Sequence, residues 1–144
     1  MNKYSKKIQK ALITYDIELV EIMSGVASLS WGLWLLNPIF NTFVSAPTFN
    51  TMSSIAPEWL WGFAMFVIGI IQIESVLSHS LRRRKLSSII LATMWIFITS
   101  VFAHANISST GVVIYGTFAI FTVWSYLRLS QRVEIKSRYK NKET

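Results

Sequence analysis

Four long apolar stretches divide the chain, and short polar or basic segments separate them. Each stretch has about 20 residues, and a helix of that length, rising 1.5 Å per residue, crosses the roughly 30 Å hydrocarbon core of a bilayer. Inside a bilayer the backbone must satisfy its own hydrogen bonds, which favours helices. The sequence therefore predicts an all-α integral membrane protein with four transmembrane helices in an antiparallel bundle. The predicted spans are residues 17–36, 59–78, 86–105 and 109–127.

Composition supports this prediction and limits the number of domains. Charged residues make up only 15% of the 144 residues, whereas soluble domains carry roughly 25%. We therefore expect one membrane domain over residues 1–144, ending in a basic tail at 128–144. The net charge of +7 would suggest nucleic acid in a soluble protein. No basic and aromatic stripe or known binding module accompanies it, so we predict no nucleic-acid partner.

The basic residues predict the topology. All fourteen Lys and Arg residues fall in three clusters: before the first span, between the second and third, and after the fourth. The 37–56 connection and the turn near Asn106 contain none. The positive-inside rule then places both termini in the cytoplasm, and we expect a bacterial inner membrane. Basic residues of the middle cluster are predicted to fix this topology and contact anionic lipid head groups. They are Arg82, Arg83, Arg84 and Lys85.

The first predicted helix carries a face of polar and small residues, called here the polar stripe. Its members recur at spacings of three and four and fall within an arc of about 80°. They are Lys7, Lys10, Thr14, Glu18, Glu21, Gly25, Ser28 and Gly32. Small residues let helices approach closely in lipid, so we interpret the stripe as a packing seam. A pore or cavity wall is the alternative, and a seam between protomers would serve both. A similar face of the second span carries Gly62, Gly69 and Gln72.

Glu74 is a carboxylate within the second span, where an unpaired charge costs several kcal/mol. It is interpreted either as the partner of Arg82, Arg83, Arg84 or Arg128, or as a proton relay or pore-lining charge.

The chain has no cysteine, and it shows no phosphate loop, nucleophile elbow or paired-carboxylate constellation. We therefore predict no enzyme activity, no bound metal and no cofactor.

The segments facing the opposite side are unusually aromatic. The 37–56 connection is uncharged and contains Phe40, Phe43 and Phe49, so we expect it to lie in the outer membrane interface with a short amphipathic helix. Four tryptophans are predicted to form an aromatic belt at the outer ends of the first two spans. They are Trp31, Trp34, Trp59 and Trp61.

Four segments carry a family resemblance: WGLWLLNP at 31–38, EWLWG at 58–62, RRRK at 82–85 and STGV at 109–112. They resemble segments of small four-span proteins of tailed-bacteriophage genomes, which are regarded as holin-like or uncharacterised. The resemblance covers residues 18–129. It implies a short inner-membrane protein with a basic cytoplasmic tail, although the better-known holin classes have one to three spans. It implies no role for any individual residue.

Two functions follow as hypotheses. The first is a holin-like protein that self-associates into a homo-oligomer and forms a membrane lesion or pore. The second is a non-pore interaction protein, such as a superinfection-exclusion or membrane-anchoring factor, because packing seams explain the small residues without a conduit. A small ion or solute transporter is a third hypothesis and depends on Glu74.

Overall fold

The computed structural model describes the backbone of residues 3–39, 42–45 and 49–140, and the side chains of residues 18–39, 42–44 and 49–133. Within these ranges the chain is helical, with no strand. The helices are α1 (Lys3–Leu36), α2 (Thr42–Ser45), α3 (Asn50–Ile55), α4 (Glu58–Leu77), α5 (Leu81–Ala105) and α6 (Thr110–Lys140).

Four of these helices are long and apolar enough to cross a membrane, over Glu18–Leu36, Glu58–Leu77, Leu81–Ala105 and Thr110–Val133. Helix α1 packs mainly on α4, and α5 packs mainly on α6. Further contacts between α4 and α5 and between α1 and α6 close the ring. The prediction of an all-α, four-span bundle is therefore confirmed. We call the end at the α4–α5 turn the loop end, and the end beside the 37–56 connection the far end.

Residues at the ends of the helices account for where α1 stops and α6 begins. Helix α1 stops at Leu36, directly before Asn37 and Pro38, because a proline disfavours helical backbone in the residue that precedes it. At the start of α6, the Ser109 hydroxyl accepts a hydrogen bond of 3.2 Å from the Gly111 backbone N–H. In the α4–α5 turn, His79 adopts a positive φ of 52°.

The described part of the 37–56 connection is helical, as expected, and packs against the bundle, while its position in a membrane interface stays a prediction. It forms two short helices, α2 and α3, and two of its phenylalanines are buried. Phe43 stacks on Phe49 with ring centres 5.0 Å apart, and Phe49 meets the edge of Phe102 on α5 at 5.1 Å. The Glu58 carboxylate accepts hydrogen bonds from the backbone N–H groups of Thr42 and Phe43 at the start of α2. These contacts cover the far end of the bundle. Phe40 lies outside the described residues.

The four tryptophans of the predicted aromatic belt fall into two groups, and their position at a membrane interface stays a prediction. Trp34 and Trp59 are exposed, but Trp31 donates an indole hydrogen bond of 3.0 Å to the Tyr115 hydroxyl. Trp61 donates one of 3.1 Å to the backbone carbonyl of Met52. These indole N–H groups find acceptors on other helices, so the two rings pack partly inside the bundle.

Candidate functional site

Helices α1 and α4 approach so closely that parts of their backbones touch. A Cβ added at Gly32 would lie 2.5 Å from the Phe66 backbone nitrogen and 2.7 Å from the Gly62 carbonyl oxygen. At Gly69 it would lie 2.8 Å from the Gly25 carbonyl oxygen. Such distances leave no room for any side chain, which is why glycines occur here.

A hydrogen bond reinforces this contact. The Ser28 hydroxyl donates to the backbone carbonyl of Met65 on α4 at 2.8 Å. Five of the predicted site residues therefore meet in one seam within a single chain: Gly25, Ser28, Gly32, Gly62 and Gly69. The side chains of Lys7, Lys10 and Thr14, the first members of the polar stripe, lie outside the described residues.

Below the seam, at the loop end, lies a buried ion cluster of Arg84, Glu18 and Glu21. The Arg84 side chain on α5 is only 3% exposed. Its Nη1 donates to Glu18 Oε1 at 2.9 Å, its Nε donates to Glu21 Oε2 at 2.9 Å, and its Nη2 also donates to Glu21 Oε2. A planar guanidinium suits this role because it presents several donors in a fixed fork.

Polar side chains extend the ion cluster across three helices. The Ser88 hydroxyl donates to Glu21 Oε1, and the Gln72 amide donates to the Ser88 hydroxyl, both at 3.4 Å. The hydroxyls of Ser75 and Ser87 are 2.8 Å apart, and Ser87 donates to the Arg84 carbonyl at 3.1 Å. The Gln72 Oε1 atom is buried and has no hydrogen-bond partner among the described residues. This network fixes the positions of α1, α4 and α5 relative to one another.

The charges in the ion cluster do not balance. Two carboxylates face one guanidinium, so the fully ionised cluster carries one net negative charge. Removing charges from water costs several kcal/mol per ion, and close pairing with additional hydrogen bonds is what offsets that cost. Arg84 is therefore the residue on which the stability of this site depends most.

The environment of Arg84 differs from the prediction. This side chain was expected to contact lipid head groups, and it is instead buried. The other three basic residues of the same cluster behave differently. Arg82 is exposed, Arg83 is 65% exposed, and the Lys85 ammonium lies 5.5 Å from the centre of the Tyr126 ring. The sequence contained a signal for the ion cluster. Glu18 and Glu21 share one face of the first predicted helix, and they lie near the end of that helix that is on the same side of the membrane as the basic turn at 82–85.

Glu74 lies apart from this site. Its carboxylate pairs with Arg83 Nη1 at 3.0 Å, and the Glu74 side chain is 56% exposed on the outside of the bundle. Glu74 lies one helical turn before the end of α4 at Leu77, at the edge of the span, and an exposed pair at such a position contributes roughly 0–1 kcal/mol. Of the predicted site residues, Glu21 and Gln72 join the network beneath the seam, and Glu74 does not.

Among the described residues, the arrangement offers packing and ion pairing. The centre of the bundle is filled by large buried side chains, namely Met65, Leu91, Trp95 and Ile98. Among the residues whose side chains are described, no group of three or more His, Cys, Asp or Glu residues could hold a metal ion. No protein-family model, curated protein or solved structure matches the chain.

Proposed function

We propose that this chain is a non-conducting membrane interaction protein, a closed four-helix unit that acts through its outer surface and its basic ends. One observation carries the proposal: the described part of the polar stripe is buried within the same chain. Gly25, Ser28 and Gly32 pack on α4, and Glu21 pairs with Arg84. A stripe used in this way is not free to line a pore between protomers.

The filled centre of the bundle supports the same proposal. An ion needs a continuous hydrated path, and protein interiors packed with large side chains leave few voids of water size. Trp95 is 1% exposed and stacks on Phe118 with ring centres 5.1 Å apart. Its neighbours Met65 and Ile98 are fully buried. In this proposal the bundle is therefore a scaffold that presents its outer surface and its basic ends to partners.

The basic ends are the surfaces best suited to a partner. Helix α6 continues beyond its apolar span, which ends at Val133, as far as Lys140. This extension carries Lys136, Arg138 and Lys140. A basic helix emerging from a membrane fits an acidic protein partner or an anionic bilayer surface. A superinfection-exclusion or membrane-anchoring role would use the extension in this way.

The proposed location is a bacterial inner membrane with both termini in the cytoplasm, on the argument from the three basic clusters. Reporter fusions after Lys85 and after Thr144 should both give cytoplasmic signals. A reporter inserted near Thr48 should give an external signal. A cytoplasmic signal at Thr48 would contradict this topology.

Induced expression in bacteria tests the absence of conduction. A membrane-potential dye should show no collapse at expression levels that place the protein abundantly in the membrane, because large described side chains fill the centre of the bundle. An ionophore added to the same cells provides the positive control. An abrupt collapse of the potential at those levels would contradict the proposal.

A holin-like lesion former is the second candidate, and the polar network favours it. Glu21, Gln72, Ser75, Ser87 and Ser88 are hidden inside the bundle and would become polar surfaces if α1, α4 and α5 separated from one another. Self-association of such opened chains into a homo-oligomer would then produce a lesion. This candidate predicts the potential collapse described above. We do not propose a transporter, because Glu74 forms an exposed ion pair outside the bundle.

A further inference from the structure

An open apolar groove of about 410 Å³ lies on the outside of the bundle between α5 and α6. We call it the lipid groove. One residue of α5 and five residues of α6 line it, and every one of them is apolar: Ile96, Ala119, Ile120, Val123, Trp124 and Leu127. It lies within two apolar spans, so hydrocarbon surrounds it.

The lipid groove runs lengthwise along α6 and ends beside a cation. The nine residues from Ala119 to Leu127 are separated by eight helical rises, which correspond to about 12 Å along a helix. Arg128 follows directly, and its guanidinium lies 5.5 Å from the centre of the Trp124 ring. Lys85, over the ring of Tyr126 at the start of α5, marks the loop end of the bundle at the same level.

Arg128 is exposed, and among the described side chains no carboxylate forms an ion pair with it. An elongated apolar space that leads to such a cation complements an acyl chain joined to an anionic phosphate. A second copy of the chain fits less well. A two-fold interface between parallel copies places the same patch of each chain together, which would bring the two Arg128 side chains close to each other.

We propose that the lipid groove binds one acyl chain of an anionic phospholipid, with Arg128 contacting the phosphate of its head group. The site selects the net charge of the head group, because a zwitterionic head group returns a positive charge beside the guanidinium. This proposal is independent of whether the protein conducts ions. It requires only that the α5 and α6 spans lie in a bilayer.

Native mass spectrometry of the purified chain tests the proposal with two probes that share dioleoyl chains, phosphatidylglycerol and phosphatidylcholine. Retention of phosphatidylglycerol should be about fivefold stronger, which corresponds to about 1 kcal/mol for one basic residue near an anionic lipid surface. Arg128→Gln should reduce this ratio to near one. Arg82→Gln removes an exposed charge from the same end of the bundle and should leave the ratio unchanged.

A second pair of variants tests the groove itself. Val123→Phe fills the groove and should reduce the retention of both lipids at least threefold, whereas Val113→Phe, at an exposed position elsewhere on α6, should not. Equal retention of the two lipids by the natural chain would overturn the proposal. The proposal would also be overturned if Arg82→Gln and Arg128→Gln lowered the ratio of phosphatidylglycerol to phosphatidylcholine retention equally. A dimer of the natural chain that only Val123→Phe abolishes would overturn it as well. If Val123→Phe does not fold, the two arginine variants decide the outcome.

Discussion

The two main helix pairs of the bundle are held together by different means. Helices α1 and α4 meet through glycines whose backbones touch, and a Cβ at Gly32 or Gly69 would lie within 3 Å of backbone atoms. Helices α5 and α6 meet through larger side chains. A Cβ at Gly116 would meet only the Thr99 methyl group, at the ordinary contact distance of 3.5 Å.

This difference shows which part of the bundle tolerates change. Close backbone contact maximises van der Waals attraction in lipid, where the hydrophobic effect does not drive helices together. It also leaves no tolerance for added atoms. Around Gly116 the packing between α5 and α6 leaves room for a methyl group, whereas a Cβ at Gly111 would lie 2.5 Å from Cδ1 of the Phe102 ring. Two of the polar links between the pairs are the ion cluster at the loop end and the Trp31–Tyr115 hydrogen bond nearer the far end.

Breaking the ion cluster should have the largest effect. Arg84→Gln leaves Glu18 and Glu21 without their cation, and removing one partner of a buried ion pair typically costs 3–5 kcal/mol. Glu21→Gln leaves the Arg84–Glu18 pair and removes the excess negative charge, so it should cost less than about 2 kcal/mol. The free energy of unfolding in mixed detergent micelles measures both variants.

The exposed Arg83–Glu74 pair provides a control for the buried cluster. Arg83→Gln removes an arginine one position away and should change the free energy of unfolding by less than about 1 kcal/mol. Equal destabilisation by Arg83→Gln and Arg84→Gln would show that burial of the cluster is not what makes Arg84 important.

Adding a methyl group to each helix pair sharpens the comparison further. Gly32→Ala should destabilise the protein by about 1–3 kcal/mol, because α1 and α4 must move apart. Gly116→Ala should be neutral or stabilise it by up to about 1 kcal/mol, since alanine favours a helix and space is available. Thermal unfolding in one detergent, compared with the natural chain, checks both. Similar effects of the two variants would remove the distinction between the pairs.

The Trp31–Tyr115 hydrogen bond should be the weaker of the two links. Trp31→Phe keeps an aromatic ring at this position but loses the donor to the Tyr115 hydroxyl. Side-chain hydrogen bonds between membrane helices contribute about 0.6 kcal/mol on average, so a loss of about 0.5–1.5 kcal/mol is expected. A double-mutant cycle that combines Trp31→Phe with Tyr115→Phe measures the coupling free energy between the two side chains. A coupling energy larger than that of the ion cluster would reverse the proposed ranking.

The sequence predicted the spans well because hydrophobic length and helix breakers are local signals. Asn37 and Pro38 end α1, and Pro57 precedes α4, as expected from backbone sterics. The polar stripe was visible from its period, but its partner helix was not, because any small-residue face could pack on any other. The burial of Arg84 was missed for a similar reason: four consecutive basic residues look alike until the rotation of α5 directs one of them inward. The inward orientation of Trp31 and Trp61 likewise depended on acceptors from other helices.

The part of the polar stripe from Gly25 to Gly32 is buried against α4 within one chain. The chain contains no cysteine, so a pair introduced by Ser28→Cys and Met65→Cys, whose side chains meet in the seam, reports on this contact alone. Exposed positions on the same helices, through Met23→Cys and Ile70→Cys, provide the control pair.

A protease site inserted in the 37–56 connection separates crosslinks within one chain from crosslinks between chains. After oxidation and cleavage, the two fragments of the Ser28→Cys, Met65→Cys variant should remain joined and separate only on reduction, while the control pair should separate without it. A disulfide found only between chains, or an absence of crosslinking at conditions that preserve the fold, would contradict the closed bundle.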